Sequence, residues 1–386
     1  MEILLLFFTL FIIFLIIENI LYSKKLNKLE LRITVSGTRG KTSIVRTLAS
    51  VFRENNIKVL AKTTGSEAKY ILPDGKEEFI HRRGLTNILE QKKLINKAIK
   101  LNASCVLTEI MSIHPENHYT ETNKLIKPHL TILSNIRSDH TDIAESSLQE
   151  ISEIFINDIY PSSKILISEN EINSFIIDGI SEKKAELIEY NKIIDNKLEL
   201  PSGVYNSHIS DNLDLVFSAS KHFGFDNNTI QKGIIKTRLD IGKLEIYKYN
   251  KENKNVYFVN SFAANDPEST TQLMKKTNSI LNLNSYKNIA LMSLRSDRGE
   301  RSKQWLEYLR KNNRKIFEYM YITGGHSYVL KRNIQNSEII KNINPELITD
   351  YIISKSENNS IIFGLANIKG IGISLVNHWK KEGSII

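Results

Sequence analysis

Residues Ser36 to Ser43 read Ser-Gly-Thr-Arg-Gly-Lys-Thr-Ser, set between an apolar stretch, Leu31 to Val35, and a helical pattern with apolar residues at Ile44, Val45, Leu48, Val51 and Phe52. This succession of strand, glycine loop and helix constrains the chain more than any other feature. Two glycines let the backbone turn tightly with its amide N–H groups facing inward, Lys41 reaches toward terminal phosphates, and the Thr42 hydroxyl suits magnesium. The phosphates would meet a helix N-terminus. Val35 stands where the first glycine of G-x-x-x-x-G-K-[ST] belongs, so the loop is a shorter G-x-x-G-K-T. The flanking strand and helix separate it from an ordinary strand-to-helix turn. Gly37, Thr38, Arg39, Gly40, Lys41, Thr42 and Ser43 are the expected nucleotide-binding residues.

A chain of 386 residues has room for two or three domains. Strand and helix patterns alternate along it, which predicts α/β organisation. The apolar runs 31–35, 105–110 and 130–136 read as buried parallel strands of a P-loop central domain of ATPase type. A second series, 256–259, 289–293, 320–323 and 361–364, reads as a C-terminal Rossmann-like α/β domain. The boundary is expected near 236–252, with domains at 30–240 and 250–386. Residues 63–83, carrying Gly65, Pro73 and Gly75, read as a loop or hairpin over the first domain.

Ile3 to Ile17 carries no charge, and apolar character resumes after Glu18 and Asn19 through Tyr22. This approaches the roughly 20 residues that cross a bilayer. Basic residues do not precede the run and small residues do not close it, so an uncleaved membrane anchor at 1–22 fits better than a signal peptide. A short charged linker, 23–29, follows. Lys24, Lys25 and Lys28 place the bulk of a single-pass protein in the cytoplasm. The competing reading is a buried or interfacial helix, since Glu18 shortens the uncharged core. The formal charge is +9, yet the lysines are scattered and no strip interleaves basic and aromatic residues. That favours phosphate or carboxylate substrates over nucleic acid. The single cysteine, Cys105, excludes an internal disulfide and reads as a buried thiol.

Three polar groups follow three apolar strands, where open α/β sheets place ligands. They are Thr42, Glu109 and His140, the last within Asn135-Ile136-Arg137-Ser138-Asp139-His140. Taken alone, Glu109 reads as a strand-end charge and His140 as a capping residue. Together with the loop they form a set for a divalent metal against a triphosphate, with Lys41, Glu109 and His140 as catalytic candidates. His81, Arg82 and Arg83 make a short basic cluster, either a site for an acidic ligand or a solvated turn.

Gly37-Thr38-Arg39-Gly40-Lys41-Thr42, Glu109, and Asn135 followed by Asp139-His140 resemble the ATP site of the Mur ligase superfamily, which includes folylpolyglutamate synthetase. Within it, Lys62-Thr63-Thr64-Gly65, the stretch 84–91, Asn260-Ser261-Phe262-Ala263-Ala264-Asn265-Asp266, Arg295-Ser296-Asp297-Arg298 and Gly364-Leu365-Ala366-Asn367-Ile368-Lys369-Gly370 are similar to the poly-γ-glutamate-synthesising ligases. The N-terminal anchor is similar too.

The resemblance implies that ATP, with Mg2+, phosphorylates a γ-carboxylate and that the amino group of glutamate then forms an amide. It implies ATP contacts from Asn135, Asn212 and Asn260, and metal ligands at Thr42, Glu109 and His140. Lys62, Thr63, Thr64, Arg82, Arg83, Asn265, Asp266, Arg295, Asp297 and Arg298 are the implied substrate residues, with Arg295 and Arg298 suited to clamping carboxylates. Implied partners are glutamate, the poly-γ-glutamate chain, the membrane and small membrane subunits. Two departures stand out. Ile151-Ser152-Glu153-Ile154-Phe155-Ile156 lacks the lysine that many Mur ligases carbamylate, and Gly242-Lys243-Leu244-Glu245 replaces the usual linker arginine, leaving Lys243 or Arg238 to substitute. Alternatives are a folylpolyglutamate or cell-wall type ligase, and a membrane-tethered ATP-binding regulator without ligase activity.

Overall fold

The computed structural model describes residues 2–64, 68–82, 87–112, 115–136, 148–196, 198–200, 210–237, 244–251, 253–262, 267–283, 285–311 and 316–386. They fall into two compact units, divided between residues 237 and 244.

In the first unit a long helix, α1 (Glu2–Leu26), leads into β1 (Leu31–Ser36) and α2 (Lys41–Glu54). Then come β2 (Val59–Thr63), β3 (Lys69–Ile71), β4 (Glu77–Phe79), α3 (Glu90–Lys100) and β5 (Cys105–Glu109). The short α4 (Pro115–Tyr119) runs into a π-helical stretch, Thr120–Ile126, before β6 (Leu130–Leu133), α5 (Leu148–Ile156), β7 (Lys164–Ile167), α6 (Ser174–Glu182) and β8 (Glu186–Leu187). Helices α7 (Ser210–His222) and α8 (Asn227–Ile235) close the unit. The sheet order is β4-β3-β2-β5-β1-β6-β7-β8. Strands β2, β5, β1, β6, β7 and β8 are parallel, and β3 and β4 add an antiparallel hairpin at one edge. Thus the loop-or-hairpin stretch extends the sheet.

The central strands read as continuous apolar runs because helices cover both faces. Ile44, Val45, Leu48, Val51 and Phe52 of α2 are all fully buried, which is the amphipathic spacing at work. Phe52 meets Phe223 and Phe225 edge-on at 5.4 and 5.1 Å, fixing α2 against the turn after α7. Cys105 is buried as expected, and burial pushes its thiol well up.

Helix α1 is the one element among the described residues long and apolar enough to cross a membrane by length and composition. Residues 2–21 are exposed, whereas Tyr22, Leu26 and Leu29 enter the core of the unit with Leu60, Leu94 and Val106. The helix therefore runs through 23–26, a stretch expected to be linker, because its last turn is packed rather than free.

The second unit contains β9 (Ile246–Lys251), β10 (Lys254–Asn260), α9 (Pro267–Leu281), β11 (Lys287–Leu294), α10 (Gly299–Lys311) and β12 (Tyr319–Gly324). It continues with α11 (Ser327–Asn333), β13 (Ser337–Ile339), α12 (Pro345–Lys355), β14 (Ser360–Ala366), α13 (Ile371–Glu382) and β15 (Ser384–Ile385). In the order β13-β12-β11-β14-β10-β9-β15 all strands run the same way except β9, which is antiparallel to both its neighbours, β10 and β15. Trp305 of α10 and Trp379 of α13 are fully buried in separate cores, the latter stacked on Phe262 at 5.7 Å.

Candidate active site

The site begins where β1 ends. Gly37 and Gly40 hold positive φ, +110° and +86°, which only glycine adopts without strain. A side chain at Gly37 would meet the Asn135 carbonyl at 2.8 Å, and one at Gly40 would meet the Asn212 carboxamide at 2.5 Å. Both asparagines thus lie directly on the loop. Asn135 clamps it, since its backbone oxygen accepts from Thr38 N–H at 3.1 Å, its Oδ1 accepts from Arg39 N–H at 2.9 Å and its Nδ2 donates to the Arg39 carbonyl at 3.0 Å. Lys41 Nζ donates to the Gly37 carbonyl and, at 3.2 Å, to the Thr38 carbonyl. Thr42 and Ser43 follow in the first turn of α2, whose leading N–H groups point toward the loop.

Register places Glu109 on β5 directly beside Val35, at the same carboxyl edge as the loop. Glu109 is 1% exposed. Its Oε2 accepts from Thr64 Oγ1 at 2.6 Å, while its Oε1 is buried with no hydrogen-bond partner among the described residues. A bare buried carboxylate oxygen is costly. It suits a hard cation such as Mg2+, with the Thr42 hydroxyl at the head of α2 as a second candidate oxygen ligand. Thr63 Oγ1 is likewise buried without a hydrogen-bond partner among the described residues. Among the described residues no group of three His, Cys, Asp or Glu side chains converges as a metal cage.

A charged cluster adjoins Glu109. Lys62 is fully buried, with Nζ 3.2 Å from Glu90 Oε2 and 3.2 Å from Met111 Sδ. Burial lowers the Lys62 pKa, against the pull of Glu90, Glu121 and Glu109. Arg82 binds Glu90 side-on through Nε and Nη2, at 2.6 and 3.0 Å. Burial pushes Glu90 up, but Arg82 and Lys62 more than offset it and hold the carboxyl below its ordinary range.

Two further features escaped the sequence reading. Gln91 donates to Glu121 and to the Glu109 carbonyl, at 3.3 Å for the latter, and Glu121 also accepts from Ser112 Oγ at 2.6 Å. Burial raises the Glu121 pKa. Beneath the loop, Asp158 accepts from Ser36 Oγ, from Thr122 Oγ1 at 3.3 Å, and pairs with His118 Nδ1 at 2.8 and 2.9 Å. Burial disfavours the His118 cation, yet the Asp158 charge and hydrogen bond prevail and raise its pKa. Ser36 is the last residue before Gly37, so this pair grips the base of the loop. His118 and Asp158 lie 40 residues apart, a separation without any periodic signal.

In the second unit, Asn260 is buried at the end of β10, its N–H donating to the Glu245 carbonyl at 2.9 Å. After β11, Arg295 holds Asp297 at 2.9 and 2.6 Å and Arg298 is exposed. A substrate carboxylate at Arg295 would take the place of Asp297. Asn367, quoted in a motif but given no role, donates to the Ser293 carbonyl at 2.9 Å and accepts from Arg301 at 2.5 Å. Arg83, His140, Asn265 and Asp266 lie outside the described residues, as do Arg238 and Lys243.

Comparison with known proteins matches residues 35–227 to the Mur ligase middle domain and residues 246–382 to the poly-gamma-glutamate synthase CapB C-terminal domain. The chain is similar to the capsule biosynthesis protein CapB of Bacillus anthracis, 26% identical over 96% of this chain and 81% of that protein. It is equally similar to the PGA synthase CapB of Bacillus subtilis (strain 168), 26% identical over 94% of this chain and 93% of that protein. A solved folylpolyglutamate synthase/dihydrofolate synthase from Yersinia pestis, complexed with AMPPNP and Mn ion, shares the fold at a TM-score of 0.70 and 11% identity, covering 94% of this chain and 92% of that one. With the middle-domain match spanning half its length and the phosphate loop, Glu109 and strand order in place, the chain belongs to the Mur ligase family of ATP-dependent amide ligases.

Proposed function

We propose that this ligase is a membrane-anchored poly-γ-glutamate synthase. It activates a glutamate γ-carboxylate with ATP as an acyl phosphate, then joins it to the amine of another glutamate. ADP and phosphate leave. The reading is carried by the buried Glu109 oxygen without a partner among the described residues, one strand from a phosphate loop. The two CapB relatives and the C-terminal match favour glutamate as substrate.

Phosphoryl transfer asks a protein mainly for position and opposing charge. Lys41 and the loop amides offset charge on the phosphates, and Asn135 fixes the loop that presents them. Thr42 and Glu109 are the residues that would hold Mg2+, which when bound neutralises charge on the transferring group. His140 is the proposed ligand of a second ion near the reacting group. Lys62, Arg82, Arg295 and Arg298 are cations fit for carboxylates, and α1 is the proposed anchor. Small membrane subunits are the proposed partners.

Membranes containing the full chain, given ATP, magnesium and glutamate, should release ADP in a glutamate-dependent manner and accumulate a γ-linked polymer. ADP release that ignores glutamate, with no polymer, would favour the tethered regulator.

A further inference from the structure

The way α1 joins the first unit defines which side of the site looks at lipid. The helix is not tethered by a loose segment. Arg32, the second residue of β1, donates Nη1 to the Leu26 carbonyl at 2.7 Å and to the Leu29 carbonyl at 3.2 Å, bonding the last carbonyl of α1 and one in the turn after it. Tyr22 OH donates to the Leu125 carbonyl at 2.6 Å, Lys25 Nζ to Asn96 Oδ1 at 2.7 Å, and Lys92 Nζ pairs with Glu18 at 2.7 Å. Residues 18, 22, 25 and 26 share one helical face, and that face is docked.

Direction follows from these contacts. Glu18 meets Lys92 and Lys25 meets Asn96, so α1 and α3 run parallel. Only residues 27–30 separate α1 from β1, which returns along the helix toward the phosphate loop. The apolar N-terminal part of α1 therefore leaves the unit at the carboxyl edge of the sheet. From Leu26 back to Glu18 the helix rises about 12 Å. Over the same level β1 climbs about 17 Å from Leu31 to Ser36.

Length then limits the clearance. The uncharged run Ile3 to Ile17 measures about 22 Å at helical rise, short of the roughly 30 Å hydrocarbon core. Ile20 and Leu21 are still about half exposed, at 49% and 53%, on the undocked face beside Glu18. A bilayer that covers them reaches the level of Lys92 and Tyr22, residue types that favour the interface. The same rim carries Leu89, 50% exposed, and exposed Lys93. Glu90, which holds Lys62 and Arg82, starts the same helix.

Resting on the anchored reading above, we infer that the carboxyl edge of the first sheet faces the cytoplasmic leaflet, with Leu89, Lys92 and Lys93 seated in the headgroup layer. The Lys62–Glu90–Arg82 end of the site then works at the membrane surface, where an acidic polymer would be delivered to lipid-embedded partners rather than into bulk solution.

The test uses the full chain in lipid nanodiscs carrying a nitroxide on the headgroup, with bimane attached at Leu89→Cys or, at the far end of α3, Lys100→Cys. Buried Cys105 contributes no background labelling. Position 89 should be quenched several-fold more strongly than position 100, with Lys93→Cys as a second reporter near the rim. Weak quenching at 89 and 93, in protein that resists carbonate extraction, overturns the seating and leaves the anchor standing. Strong quenching at both ends of α3 overturns the end-on orientation. Loss of the chain on carbonate extraction overturns the anchor itself.

Discussion

At the carboxyl edge of the first sheet, Glu109, Gln91, Glu121, Lys62 and Asp158 are buried within hydrogen-bonded networks, whereas at the corresponding edge of the second sheet Asp297 and Arg298 stand in water. Chemistry accounts for the contrast. Groups that hold metal and phosphate must be fixed and dry before substrate arrives, because electrostatic stabilisation is strongest where nothing has to reorganise. Arginines that clamp a free amino acid, the role proposed for Arg295 and Arg298, need to be reachable. Arg295, whose salt bridge among the described residues is with a neighbour two residues away, can exchange Asp297 for another carboxylate.

The largest expected effect tests the buried edge. Lys41→Ala should lower turnover at saturating ATP by about 10³-fold while the melting temperature holds, since a contact to developing charge is lost. Glutamate-dependent ADP release measures it, and near-normal turnover would take Lys41 out of the mechanism.

Next comes the pair under the loop. His118→Ala should cost about 3 kcal/mol, because it leaves the Asp158 carboxylate buried without its cation. The sign with pH is defined: the folded His118 pKa lies above its ordinary 6.5. The stabilisation is complete below about 6.5 and is lost as pH rises through the folded value. Denaturant melts of wild type and His118→Ala should therefore converge with rising pH, and curves that stay parallel would deny the pair its charge.

Glu109→Gln should raise the magnesium needed for half-maximal activity about tenfold, by analogy with weakened metal shells, with little loss of fold. An unchanged magnesium titration would remove Glu109 as a ligand. The smallest effect belongs to the open edge. Arg295→Ala should raise the glutamate KM about fivefold, leave the ATP KM alone and leave stability untouched, as exposed pairs contribute little. If it unfolds the protein instead, the two edges are not as different as they look.

Much of the nucleotide half was legible from residue order. The loop, its glycines and the strands around it are local signals, because backbone turning, apolar runs and helical spacing are set within a few residues. Glu109 was legible too, as a charge ending an apolar strand. The role of Asn135 as a clamp was not, nor was Asn212 lying over Gly40, since each contact joins segments many residues apart. The 23–29 linker was read from its charges, and packing of Tyr22, Leu26 and Leu29 made part of it helix. Charge density predicts solvation, but it says nothing about which apolar neighbours lie between the lysines.

The sequence by itself determined an α/β chain with a phosphate loop and an apolar N-terminal helix, since those follow from short-range sterics and periodicity. Only the tertiary structure decided that His118 and Asp158 hold the base of the loop, that Gln91 and Glu121 back Glu109, and from which end of the sheet the apolar helix departs. Each of these depends on which distant surfaces are pressed together out of water, and burial gives such contacts their strength without leaving a repeat in the residue order.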